Sequence, residues 1–138
     1  MTKKQTKKEG FHHLEEKDHH LLSKVIDEAL VCIENIQKKD RENQKKIDKS
    51  QERLCVAKND SERLDETFAL EGLKIEAFSK LEKDYEKLSS LLDEAYKYTD
   101  RIGGIVKEHF LDICQSLSKG IHLELIATNL RKMKTHCN

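Results

Sequence analysis

The sequence predicts an all-α fold, an elongated antiparallel helical hairpin or coiled coil with a short C-terminal helix. Three observations carry that prediction. Apolar residues return at alternating gaps of three and four from Leu22 to Leu117, and neither strands nor loops hold such a 3.5-residue period. The 138 residues include no proline and only five glycines, so helix breakers are scarce. Charged residues make up 38% of the chain and hydrophobic residues 36%, against roughly 25% charged in an ordinary globular domain. That balance suits long helices with a narrow apolar seam. Low hydrophobicity also fits disorder, but the regular spacing opposes it over most of the chain.

The first element is a basic disordered tail over residues 1–11, with Lys3, Lys4, Lys7 and Lys8 and no apolar stretch behind them. A single helical domain is expected over 12–133. Its first helix, about 12–58, carries Leu22, Ile26, Ile33 and Ile36 in phase, flanked by Leu21, Val25, Leu30 and Val31. That stripe is too wide for a two-stranded seam and calls for three or more helices. From Gln37 to Ser61 the seam thins to Ile47 and Leu54, with Asp40, Asn43 and Ser50 at its positions.

Two forms fit the next stretch. The heptad phase passes through residues 57–64 without a stutter, which suits one unbroken helix. Asn59, Asp60 and Ser61 with Glu62 form a capping-box pattern, which suits a reversal at about residue 60. Charge supports the reversal: residues 37–58 hold eight basic and four acidic groups, and 59–95 hold five and eleven, so antiparallel arms attract.

The second helix, about 61–102, continues the phase with Leu64, Phe68, Ile75, Phe78, Tyr85, Leu92 and Tyr96, flanked by Leu73, Leu81, Leu88, Leu91 and Ala95. Gly103 and Gly104 mark an end or a weak point. A third helix, about 105–119, carries Val106, Phe110, Ile113 and Leu117, and "LSKGIHL" reads as a Schellman end with Gly120 left-handed and Ile121 as its apolar contact. A fourth, about 122–132, places Leu123, Ile126, Ala127 and Leu130 on one face before a frayed tail over 134–138.

Function classes narrow accordingly. Basic and acidic residues balance at 26 each, so no net field recommends nucleic acid or a membrane. The lysines near the N-terminus admit at most peripheral contact with an anionic surface. No apolar run reaches the roughly 18 residues of a membrane span. Cys32, Cys55, Cys114 and Cys137 are dispersed without a C-x-x-C pair, which points to reduced thiols in an intracellular, most simply cytoplasmic, protein. No phosphate loop, H-E-x-x-H or G-x-S-x-G is present, and the expectation is a protein that is not an enzyme and takes no cofactor or small-molecule substrate.

One stretch resists that reading. "FHHLEEKDHH", Phe11 to His20, holds four of the seven histidines. On a helix His13, Glu16 and His20 share a face, as do His12, Glu15 or Glu16, and His19; either trio supplies three N or O ligands to zinc. The same imidazoles beside carboxylates suit a pH-responsive element, and the simplest account of them is solvated first-turn residues in which the glutamates suit the helix N-terminus. The expected function is therefore a coiled-coil interaction subunit or scaffold, pairing with itself or with another subunit. A metal- or pH-responsive bundle is the alternative.

Overall fold

A computed structural model of the chain describes the backbone of residues 2–137 and the side chains of residues 16–137. Four helices account for nearly all of it: α1 (Thr2–Cys55), α2 (Asp60–Ile102), α3 (Gly104–Leu117) and α4 (Leu123–Thr135). No strand occurs among the described residues. α1 starts at Thr2 instead of near residue 12, since neither proline nor a capping break interrupts the residues ahead. The side chains of the stretch read as a basic tail lie outside the described ones. Where a single domain is expected, the chain divides into two compact units: Glu34–Lys87, and Met1–Ile33 with Leu88–Asn138.

In the first unit, α1 and α2 form an antiparallel hairpin. The reversal lies at the anticipated place and uses the anticipated residues. Asn59 Oδ1 accepts from the Glu62 N–H at 2.9 Å, and Glu62 Oε2 accepts from the Lys58 N–H at 2.8 Å. The first bond satisfies a donor that a helix start otherwise leaves open, and the second ties the residue ahead of the cap to the first turn. The Arg63 N–H then reaches the Asn59 carbonyl at 3.0 Å and begins the ladder of α2. Along the arms, Lys39 of the basic block meets Asp84 of the acidic one at 2.7 Å. The buried residues here are Ile36, Leu70, Asn43 and Ser50.

The second unit is a bundle of four helical segments. Leu22, Val25, Ile26, Ala29, Cys32 and Ile33 of α1, Leu88, Leu91 and Ala95 of α2, Val106, Phe110 and Ile113 of α3, and Ile126, Ala127, Leu130 and Met133 of α4 are all buried. Ties run around the ring: Asp18 to Arg101 at 3.3 Å, Tyr96 against Phe110 with centroids 5.8 Å apart, α3 packed on α4, and Lys134 to Asp27. Much of the first wide apolar stripe, and of the second from Leu88 on, is thus covered from within the chain, partly by α4, while Val31, Tyr96, Ile105, Leu111 and Leu125 stay exposed.

The glycine pair falls where an end or weak point is expected, and the end of α3 differs from expectation. α2 ends at Ile102, where the Gly103 N–H bonds the Thr99 carbonyl at 2.9 Å, and Gly103 and Gly104 take φ of 66° and 60°. So the glycine pair is a true helix break, since both residues sit where side chains are strained. α3 ends at Leu117, earlier than 119, through short-range bonds from Lys119 to Ser116 and Gly120 to Leu117. Gly120 has a positive φ of 133°, outside the left-handed helical region that a Schellman end requires, and Ile121 is exposed instead of closing on the helix. The chain leaves there extended, with His122 at φ −112° and ψ 94° ahead of α4.

Candidate functional site

The hairpin unit contradicts one expectation about phase. The sequence reads Leu64, Phe68, Ile75 and Phe78 as the continuation of the seam that holds Ile33 and Ile36. In the structure those four are 58%, 70%, 69% and 73% exposed, while Ile33 and Ile36 are buried. The line of α2 that turns inward is offset by two residues: Leu70 is buried, and Leu73, Ala77 and Leu81 are half-buried. A hollow lined by Asn43 and Lys46 of α1 and by Leu73, Glu76, Ala77 and Lys80 of α2 fixes that facing. The reason is the reversal itself. Residues 56–59 leave the helix, so the phase carried by α1 has no claim on the face α2 presents.

α2 therefore carries two apolar lines through this unit. At 3.6 residues per turn they lie roughly 140° apart around the axis, and only one can meet α1. Scattered surface leucines need no explanation. Four large apolar residues in one row along a helix do, since the two phenylalanine rings alone leave on the order of 300 Å² open on the usual area of an aromatic side chain.

The other residues expected at an interface divide between the two conditions. Leu22, Ile26, Ile33, Ile36, Val106, Phe110 and Ile113 are buried within the chain; Tyr85 and Leu92 are half-buried; Tyr96 and Leu117 are exposed. Burial pushes the Tyr85 phenol above its ordinary range, and the nearby Asp40 carboxylate adds to the rise.

The histidines gather differently from the sequence trios. His12 and His13 have side chains outside the described residues. Glu16, His19 and His20 line a cavity of about 330 Å³ in the bundle unit together with Ser23, His136 and Cys137. His136 stacks on His109 of α3, centroids 5.7 Å apart and planes 22° apart. Nothing in the sequence announces that the C-terminal His136 and Cys137 join the N-terminal cluster, because that approach depends on how α4 packs. Burial raises the Cys137 thiol, which disfavours the thiolate that a metal needs. Among the described residues no group of three or more His, Cys, Asp or Glu side chains is placed to hold a metal ion. No described helix is long and apolar enough to cross a membrane.

No protein-family model, curated protein or solved structure matches this chain.

Proposed function

We propose that the protein is a non-enzymatic helix-association subunit whose working surface is the open apolar line of α2. The observation that carries this is the exposure of Leu64, Phe68, Ile75 and Phe78 in one heptad row. Solvent gives such a row no stabilisation, whereas a facing helix with complementary apolar positions takes it out of water. The surface offers area and shape and presents no nucleophile beside a base, so the work is holding. The bundle unit, which holds most of the buried apolar residues, supplies a folded body for that surface.

Proximity labelling from the full chain in cells, wild type beside Phe68→Ser/Phe78→Ser, tests the reading. The wild type should mark a defined set of neighbours that the double variant loses while its circular dichroism stays unchanged. Identical labelling by the two chains would remove the surface from consideration.

The cavity that joins Glu16, His19, His20, His136 and Cys137 favours a second reading, a bundle that answers to protons or metal. A melting temperature that falls between pH 7 and pH 5.5, and that His136→Gln flattens, supports the proton form. A melting temperature that stays put at tens of micromolar zinc excludes the metal form, because binding to the native state must stabilise it.

A further inference from the structure

The charges nearest the open line of α2 are carboxylates. Within about 60° of the row's centre, counting 100° per residue, the charged residues accompanying Leu64, Phe68, Ile75 and Phe78 are Asp60, Glu71, Glu82 and Glu86. All four are carboxylates. Asp60 lies 3.7 Å from Arg63 and Glu71 lies 3.5 Å from Lys74, both cations standing at the margin of the row. Glu82 and Glu86 are exposed and make no ion pair or side-chain hydrogen bond among the described residues. Two of the four carboxylates are thus paired and two are not, so the balance along the row is negative, and an apolar row with that balance has a definite complement.

Gly72 adds an independent observation. It stands inside α2, where glycine weakens a helix relative to alanine, yet a Cβ built on it meets nothing within 4 Å. Packing within the chain therefore does not require it. It lies four residues after Phe68 and three before Ile75, at the edge of the row. A missing side chain there lets an approaching backbone come closer between the two large ones.

Resting on the interaction reading above, we infer that the occupant of this face is an amphipathic α-helix of a partner protein, apolar at positions three and four apart and flanked by lysine or arginine. The row from Leu64 to Phe78 spans about 21 Å, so some four turns of partner helix cover it. A second copy that lays its own α2 on this one is disfavoured, since it sets the same carboxylates against these. An anionic lipid surface is disfavoured for the same reason, like charge facing like charge.

Fluorescence anisotropy of the full chain with two synthetic 21-residue helices tests the inference. Both carry leucine at the apolar heptad positions; one has lysine at the flanking positions and the other glutamate. The lysine helix should bind at least about tenfold more tightly, and the preference should shrink on raising salt from about 0.05 to 0.5 M. Phe68→Ser/Phe78→Ser should lose about tenfold or more of that binding, and Glu71→Gln/Glu82→Gln/Glu86→Gln should bring the two helices closer together.

Equal binding of both helices, with loss in the phenylalanine variant, overturns the basic partner and leaves the interaction reading standing. Binding of the lysine helix that the phenylalanine variant retains marks plain charge attraction and overturns the inference. So does light scattering that shows a dimer of the wild-type chain which Phe68→Ser/Phe78→Ser dissolves, because the occupant is then a second copy. Failure of both helices to bind overturns it too, while variant-sensitive labelling in cells keeps the broader reading alive.

Discussion

The two units share α1 and α2, and the one that adds α3 and α4 buries far more apolar side chains. In the bundle unit four segments surround sixteen of the eighteen buried apolar residues among those described. In the hairpin unit two segments bury only Ile36 and Leu70 of that kind, and two polar residues, Asn43 and Ser50, share the interior with them. A pair of helices has one contact line, and any further apolar face on either helix must stay in water or find a partner. Four segments enclose a core, although Val31, Tyr96, Ile105, Leu111, Leu117, Ile121 and Leu125 stay exposed in that unit, and two segments do not. The difference places most of the buried apolar core in one unit and a row of open apolar residues on a single helix in the other.

The sharpest way to break that contrast is to truncate one large side chain in each unit. Leu130, fully buried in the bundle, should cost about 3 kcal/mol when replaced by alanine, the usual loss for a leucine whose cavity cannot collapse. Phe68→Ala removes a larger side chain that is 70% exposed and should change stability by less than about 0.5 kcal/mol. Urea denaturation followed by circular dichroism measures both. Similar losses from the two would mean that Phe68 is covered within the chain.

A smaller change of opposite sign should come from the hairpin interior. Asn43 is buried and its Nδ2 has no hydrogen-bond partner. Asn43→Leu should therefore stabilise by about 1 kcal/mol, by removing an unpaired amide and adding apolar contact with Leu73 and Ala77. Amide exchange should slow in residues 34–87 more than in the bundle. A destabilised variant would show that the amide is satisfied or that it sets the register of the two arms, as buried asparagines in coiled coils do.

Two substitutions of about 1 kcal/mol separate folding from binding. Asn59→Ala removes the cap at the reversal and should lower stability by about that amount, as N-cap deletions do. Gly72→Ala should raise stability by a similar amount, because the helix gains propensity and no Cβ clash arises within the chain. The same change should weaken the lysine helix in the anisotropy assay. Gain of stability without loss of binding would mean that Gly72 has no part in the interface.

Much of this was readable in the residues. The helix order, the reversal at Asn59 and the break at Gly103 all follow from local signals, because caps, glycines and periodicity act over a few residues. What could not be read was which of two apolar lines on α2 turns inward. A heptad phase specifies a face only along one uninterrupted helix, and four residues outside the helix are enough to cancel the relation between Ile36 and Phe68. The meeting of His19 and His20 with His136 and Cys137 was equally hidden. It requires the tertiary packing of α4, for which the histidines carry no pattern.

The smallest effect bears on what holds the hairpin unit together. Lys39 and Asp84 bridge α1 and α2 at 2.7 Å, with the lysine side chain 46% exposed and the aspartate 20%. Attraction between the basic and acidic arms helps choose the antiparallel pairing, yet a pair this open to solvent is screened and loses side-chain freedom when it forms. A double-mutant cycle with Lys39→Ala and Asp84→Ala should give a coupling of about 0.2–1 kcal/mol, fading as salt approaches about 1 M and the screening length shrinks to about 3 Å. The bundle's Asp18–Arg101 pair at 3.3 Å should couple no more strongly. A coupling above about 2 kcal/mol for Lys39 and Asp84 would mean that charge, and not the thin apolar line through Leu70, is what closes the hairpin. Salt would then open the arms and expose the inward line as well, leaving α2 with two faces for a partner instead of one.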